Sequence, residues 1–299
     1  MGDTLHASSY NFIVKLIVTS DLHYNHLRSK PLAEDLIRQI NGSDADVLLV
    51  IGDTAAWDTD AFEQCLSQIT FDGPKLLTAG NHELWSLQKD SYQIYRELLP
   101  QRTRNLGWHW LEDDPFIFEN FAIVGSVGWY DFSFAQKDLG IPLRFYEAKV
   151  SPGAARRLSS HASLFEEQDD IEPHARKIIA RWNDGRYVRL GRTDVAFLDE
   201  LIAKLRRQLD ALTGKTVIAA IHHLAFRQLL PPPRSPQWDF AKAYLGSEVI
   251  GDLLLDYPNV SHVYCGHSHF AAMAEIGHMH AIATGCGYRT KSVQTLELV

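Results

Sequence analysis

At 299 residues and 45% hydrophobic content, the chain is long enough to bury a sizeable core and reads as one large α/β domain, residues 1–299, carrying an insertion. A formal net charge of −8 argues against nucleic acid as a partner, while leaving room for a small anionic substrate at a metal site. Three widely separated cysteines fit neither a disulfide framework nor a thiolate zinc site; with no apolar leader and no run near membrane-span length, a cytoplasmic protein without a membrane partner is expected.

Residues 1 to about 11 read as a polar lead-in. Ile13 to Thr19 is apolar and β-branched and predicts the first strand, which closes at Ser20-Asp21-Leu22-His23. Pro31 can open a helix with Leu32, Leu36, Ile37 and Ile40 on one face and Asn41-Gly42 as its stop. Val47 to Ile51 predicts a second strand ending at Gly52-Asp53, and Phe62, Leu66 and Ile69 space as another helix. Leu76 to Ala79 predicts a third strand, which delivers Gly80-Asn81-His82-Glu83. This alternation is that of a βαβαβ unit with a parallel sheet, so the polar loops gather on one sheet edge.

Phe121 to Val127 predicts another strand, running into Gly128-Trp129-Tyr130-Asp131. From about 130 to 195 the periodicity weakens, apart from a predicted helix from Pro173 to Trp182. That insertion holds 11 Lys plus Arg and 10 Asp plus Glu, so it is +1 in a chain of −8. An excursion of this length reads either as a lid over a site or as surface decoration. Thr193 or Asp194 then caps a helix with Leu198, Leu201, Ile202, Leu205 and Leu209 on one stripe, closed by Gly214. Thr216 to Ile221 predicts a strand ending at His222-His223, and Pro231 to Pro233 a rigid extended loop. A helix from Glu248 to Leu255 precedes the strand Val260 to Cys265, which ends at Gly266-His267-Ser268-His269. Met273 to Ile276, His280 to Ala283 and Val293 to Leu298 read as antiparallel strands.

Five apolar strands thus end in metal-ligand residue types: Asp21 and His23, Asp53, Asn81 and His82, His222, and the pair His267 and His269. Residues two apart on an extended stretch point the same way, so Asp-x-His and His-x-His can each place both side chains in one cavity. Imidazole with carboxylate and amide oxygen, and no thiolate, suits Mn, Fe, Zn, Ni or Co. Seven or eight such ligands are too many for one ion and suit two ions that share a carboxylate.

These blocks resemble the five signature blocks of the calcineurin-like metallophosphoesterases: Asp21-x-His23, Gly52-Asp53, Gly80-Asn81-His82-Glu83, His222 and Gly266-His267-x-His269. The resemblance runs from about residue 13 to 285. It implies a four-layer αββα sandwich of two mixed sheets, of the metallo-dependent phosphatase type, into which the segment at about 130–195 is inserted as a cap-like piece on the lid reading. It also implies two divalent transition-metal ions, manganese first among them. Asp21, His23, Asp53 and His269 would hold one, and Asp53, Asn81, His222 and His267 the other, with Asp53 bridging. The implied activity is that of a hydrolase of phosphoric esters, acting through a metal-bridging hydroxide that attacks in line at phosphorus. His82 would protonate the leaving oxygen or stabilise charge on the phosphoryl group, and Glu83 would orient its neighbours.

The serine/threonine protein phosphatases carry arginines after the second and third blocks, where this chain has Ala56-Trp57 and Leu84-Trp85. A phosphate grip must come from elsewhere, and Arg144, Arg156, Arg157 and Arg289 are the candidates. The missing arginines favour a small phosphodiester or nucleotide over a monoester. The alternatives are a protein-phosphatase-like monoesterase and a non-catalytic scaffold of the same fold. Trp57, Trp85, Trp129 and Tyr130 follow site blocks and can either stack on a base or pack in the core.

Overall fold

The apolar, β-branched runs form strands, and the central ones bury both faces, because each sheet has a second sheet on one side and helices on the other. The computed structural model describes residues 13–298; the predicted lead-in lies outside them. One sheet contains β1 (Val14–Ser20), β2 (Val47–Ile51), β3 (Lys75–Thr78) and β4 (His109–Trp110), all parallel, with β11 (Gln294–Leu298) antiparallel at the edge beside β1. The other orders β5 (Phe116–Phe118), β6 (Phe121–Ser126), β7 (Thr216–Ile221), β8 (Val260–Cys265), β10 (Met279–Thr284) and β9 (Ala271–Ile276). Its four central strands are parallel, while β5 and β9 are antiparallel edges.

The two-residue period of a strand sorts the core into layers. Leu16 and Val18 of β1 pack with Ile218 and Ala220 of β7, Tyr264 of β8 and Ile282 of β10 in a cluster between the sheets. Their alternates, Ile17 of β1 and Val217, Ala219 and Ile221 of β7, face outward to the helices. The helices Lys30–Asn41 and Ala61–Leu66 supply Leu36, Ile37, Ile40 and Phe62 to that outer cluster, as the predicted stripes require. The helices Asp194–Asp210 and Glu248–Leu255 supply Leu198, Leu201, Leu205, Leu209, Leu253 and Leu254. The result is the αββα architecture. Among the described residues no helix is long and apolar enough to cross a membrane.

The short strands β4 and β5 were not expected, and three further stretches differ from expectation. The predicted helix from Pro173 to Trp182 is only the short 3₁₀ turn Ala175–Lys177, because extended pairing satisfies this backbone better. Ser151 N–H donates to Ala180 O at 3.0 Å, Trp182 N–H to Lys149 O at 2.9 Å, and Ala180 N–H to Ser151 Oγ at 2.8 Å. A helical run from Ser91 to Asn105, unmarked by a clean stripe, widens to a π segment over Ile94–Leu98 just before Pro100, which has no N–H to give. After Pro231 to Pro233, Ser235 caps an unexpected helix, Pro236–Ala241, by accepting the Trp238 N–H. Of the two candidate caps on the long helix, Thr193 takes the role by accepting the Ala196 N–H at 3.1 Å.

Beneath the end of β3 lies a buried carboxyl. Glu112 accepts the Ala79 N–H at 3.3 Å and the Tyr95 hydroxyl at 2.9 Å, and burial pushes it up to about 7. A carboxyl raised in the folded state holds its proton where the unfolded chain has lost it, so stability falls as pH rises from about 4.5 to about 7. Thermal unfolding of Glu112→Gln should therefore show a smaller loss of Tm between pH 5 and pH 8 than wild type. Equal losses would remove Glu112 from the account.

Candidate metal centre

β1, β2 and β3 of one sheet and β7 and β8 of the other end at the same side of the sandwich, and the loops that follow them close on each other. Asp21 N–H donates to Gly52 O at 3.0 Å, His23 N–H to Asp53 O at 2.8 Å, and Gly266 N–H to His222 O at 3.0 Å. Eight non-glycine residues among those described have left-handed backbone, and five are Asp21, His23, Asp53, His267 and His269. Side chains enter that region at a cost of roughly 1–2 kcal/mol each, so the surrounding structure must hold them there. The strain aims consecutive polar side chains inward. A Cβ on Gly80 would lie 2.2 Å from Asp53 Oδ1, and one on Gly266 2.5 Å from Asp21 Oδ2. The glycines of the blocks are there because no side chain fits.

Two clusters result. Donor atoms of Asp21, His23, Asp53 and His269 lie within 4.8 Å of one another, as do those of Asp53, His222 and His267, so Asp53 belongs to both. His269 Nε2 is 3.3 Å from Asp21 Oδ1, His222 Nε2 is 3.4 Å from Asp53 Oδ1, and His23 Nε2 is 3.7 Å from Asp53 Oδ2. Asn81 lines the same cavity as Asp53 and His267, and its buried Oδ1 has no hydrogen-bond partner. Buried lone pairs left unpaired cost of order 1–3 kcal/mol each, and a set made of imidazole, carboxylate and amide oxygen is satisfied by divalent transition-metal ions. The residues fit two such ions.

Protonation follows the same logic. Burial, then the neighbouring His82, holds His23 well below its ordinary value, and burial, then His223, does so for His267, leaving the neutral imidazole that ligates. Burial also opposes a proton on His222, but Asp53 outweighs it and pushes His222 up to about 10. A ligand role there requires a cation to displace that proton. His223 turns away: its Nδ1 is 2.8 Å from Val127 O, and burial and His222 push it down to about 3.

His82 stands at the cavity wall in neither cluster. Its N–H donates to Asp53 Oδ1 at 2.9 Å, its ring stacks on Trp85 at 3.6 Å, and its Nδ1 has no partner. Glu83 accepts the N–H groups of Asp53 at 2.9 Å, Gly80 at 2.7 Å, Ala55 at 3.3 Å and Thr54, so one carboxylate joins the loops after β2 and β3. Asp184, which no motif marks, does the same for the far wall. It accepts Asn81 Nδ2 at 2.8 Å and Trp85 Nε1 at 2.6 Å on one oxygen, and Trp182 Nε1 at 2.7 Å and Tyr130 OH at 3.0 Å on the other. With its amide nitrogen so occupied, Asn81 has its oxygen free for a cation.

A cavity of about 250 Å³ opens over Asp53, Asn81, His82, His267 and His269. Trp85, Trp182, Trp238 and Tyr288 line it, with Arg181 as the one Lys or Arg among the lining residues. Arg144, Arg156, Arg157 and Arg289 do not line it. Arg144 is held by Asp170 and the carbonyls of Leu164 and Glu167, while Arg156 lines a separate hollow with Phe165 and Arg176. Of the aromatic candidates only Trp85 reaches the cavity; Trp129 and Tyr130 are buried in the core, and Trp57 carries Arg102 on its face.

Residues 14–271 match the family model for calcineurin-like phosphoesterases. An acyl-carrier-protein phosphodiesterase, PptH of Mycobacterium tuberculosis, is 35% identical over 82 residues, a stretch that is 25% of this chain and 22% of that relative. The solved structure of the phosphopantetheinyl hydrolase PptH from Mycobacterium tuberculosis covers 92% of this chain and 90% of its own, with a TM-score of 0.66 and 23% identity, a likeness of fold. A dimetal phosphatase from Danio rerio covers 90% and 86%, with a TM-score of 0.44 and 14% identity.

The Asp184 contacts generate a test that needs no substrate. Asp184→Asn replaces an acceptor-only group with one that faces its four donors with an amide, loosening Asn81. Calorimetric titration with Mn²⁺ should show affinity reduced by about 10–100-fold, the usual effect of removing a group that orients a ligand. Unchanged affinity in the folded variant would contradict that role.

Proposed function

The chain belongs to the calcineurin-like phosphoesterases, hydrolases of phosphoric ester bonds, and from that premise we propose that it cleaves phosphodiesters with two divalent transition-metal ions, manganese first among them. The observation that carries the diester reading is the cavity lining, one arginine among four aromatic side chains. A monoester dianion calls for more positive charge than Arg181 offers, whereas a diester carries one charge and brings a second substituent for Trp85, Trp182, Trp238 and Tyr288 to cover. The three free, buried cysteines suit a reducing, cytoplasmic setting.

Asp21, His23, Asp53 and His269 would hold one ion, and Asp53, Asn81, His222 and His267 the other. When bound, the ions supply charge neutralisation at the phosphoryl oxygens and a nucleophile at neutral pH. Around them the protein's own groups do the positioning. Asp53, gripped by the His82 N–H, is shared between both clusters and sets their separation. His82, fixed by its stack on Trp85, lines the cavity and would pass a proton to the departing alkoxide or aryloxide. Arg181 would pair with a non-bridging phosphoryl oxygen, and the indoles would exclude water from the leaving-group side.

A second reading takes its support from the mycobacterial relative described as an acyl-carrier-protein phosphodiesterase, so one arm of the diester can be a protein side chain. A panel with Mn²⁺ separates these readings: bis(p-nitrophenyl) phosphate, p-nitrophenyl phosphate and a phosphopantetheinylated carrier protein. The diester should exceed the monoester by about 10-fold or more in kcat/KM, and a preference for the monoester would overturn the proposal. His82→Ala should lose about 10²-fold or more in kcat, the scale of a missing general acid. A variant as fast as wild type would contradict the role given to His82.

A further inference from the structure

Arg181, Trp182 and Asn183 form a wall shared by two cavities. The first is the one over the metal centre; the second, of about 340 Å³, is also lined by these three residues together with Lys149, Leu158, His161, Gly185 and Arg186. No carboxylate lines this second cavity. Lys149 is already paired with Asp194 at 2.5 Å. Arg181 and Arg186 are exposed, and among the described residues neither has a carboxylate at ion-pair distance; Arg186 lies over the Tyr187 ring. Asp184, one residue from each side of this turn, has both oxygens committed to Asn81, Trp85, Trp182 and Tyr130, so it does not neutralise them.

The wall itself is held in place. The Arg181 backbone pairs with Val150, the Trp182 indole donates to Asp184, and its ring stacks on Tyr244 at 5.2 Å and 6°. Gly185 brings the turn onto Lys149 so closely that a Cβ would meet Lys149 Cβ at 2.9 Å. Two uncompensated guanidinium groups on a braced turn, in a chain of net −8, form a local positive site beside the reaction centre.

Resting on the phosphodiester reading, we propose that this second cavity is an anion subsite, which takes a phosphate or carboxylate carried on the substrate arm that extends past Arg181. The substrate class is then a diester with a second anionic group, its scissile phosphorus in the first cavity and the distal anion between Arg181 and Arg186. Arg186 touches only the distal group, and Arg181 can touch either.

Direct binding tests this without turnover. Alkane-α,ω-bisphosphonates with linkers of four to ten carbons, and alkylphosphonates of matched length, are titrated calorimetrically into the full chain loaded with Mn²⁺. At the linker length that spans the wall, the bisphosphonate should bind about 10-fold or more tighter than its monophosphonate partner. That advantage should vanish in Arg186→Glu and persist in part in Arg186→Lys. No advantage at any length, or an advantage that survives Arg186→Glu, would overturn the subsite. Because hydrolysis of bis(p-nitrophenyl) phosphate is measured separately, loss of the diester reading and loss of the subsite give different results. A carboxylate-ended alkylphosphonate in the same series shows whether the subsite prefers the dianion or accepts a single charge.

Discussion

The Glu83 carboxylate is the contact on which the rest of the site depends. It accepts four backbone N–H groups, from Asp53, Thr54, Ala55 and Gly80, in the buried interior. Without an acceptor these donors would be orphaned in the interior, each at a cost of roughly 1–3 kcal/mol. With it, the loop after β2 is locked to the loop after β3, and Asp53 is held where both ligand clusters need it. Burial, followed by the nearby Asp53, pushes Glu83 up to about 7, against the opposing pull of the Gly80 and Asp53 N–H groups.

Asp184 performs the corresponding task from the opposite side, but it comes from the irregular segment between β6 and β7. The two carboxylates bracket Asn81-His82: Glu83 fixes the backbone of the turn, and Asp184 fixes the Asn81 amide and the Trp85 indole on which His82 lies. The segment from 130 to 195 therefore meets the candidate metal centre through Asp184, Arg181 and Trp182. Its extended pairing with Lys149 and Ser151, rather than a helix, carries Arg181 and Trp182 to the cavity and Asp184 behind it to Asn81 and Trp85.

Local strain and global topology are linked here. Five of the candidate ligands have left-handed backbone, a conformation the isolated chain would avoid. It persists because parallel strands from two sheets end together and their loops exchange backbone hydrogen bonds across the gap. The close approach also explains the glycines of the blocks: Gly52, Gly80 and Gly266 sit where the next atom would overlap a ligand or its backbone.

The amino-acid sequence by itself determined the strands and the order of the polar blocks that follow them, because burial on both faces writes an apolar run and a strand end writes a change to polar residues. It was enough to gather Asp21, His23, Asp53, Asn81, His222, His267 and His269 as one candidate set, and to bring the metallophosphoesterase family into view. Four things were decided only by tertiary structure. Glu83 could be seen to be structural, but not that it receives four N–H groups from two loops. Asp184 and Arg181 carried no motif, since the meaning of Asp184 lies in its bonds to Asn81 and Trp85, about a hundred positions away, and that of Arg181 in its place in the cavity lining. Arg144 stood among the candidates for a phosphate grip, and Arg181 did not, until the Leu164 and Glu167 carbonyls and Asp170 were seen to hold Arg144. The helix expected from Pro173 to Trp182 gave way to pairing with a distant segment. Periodicity reports which face of an element is buried; it is silent on which partner arrives to bury it.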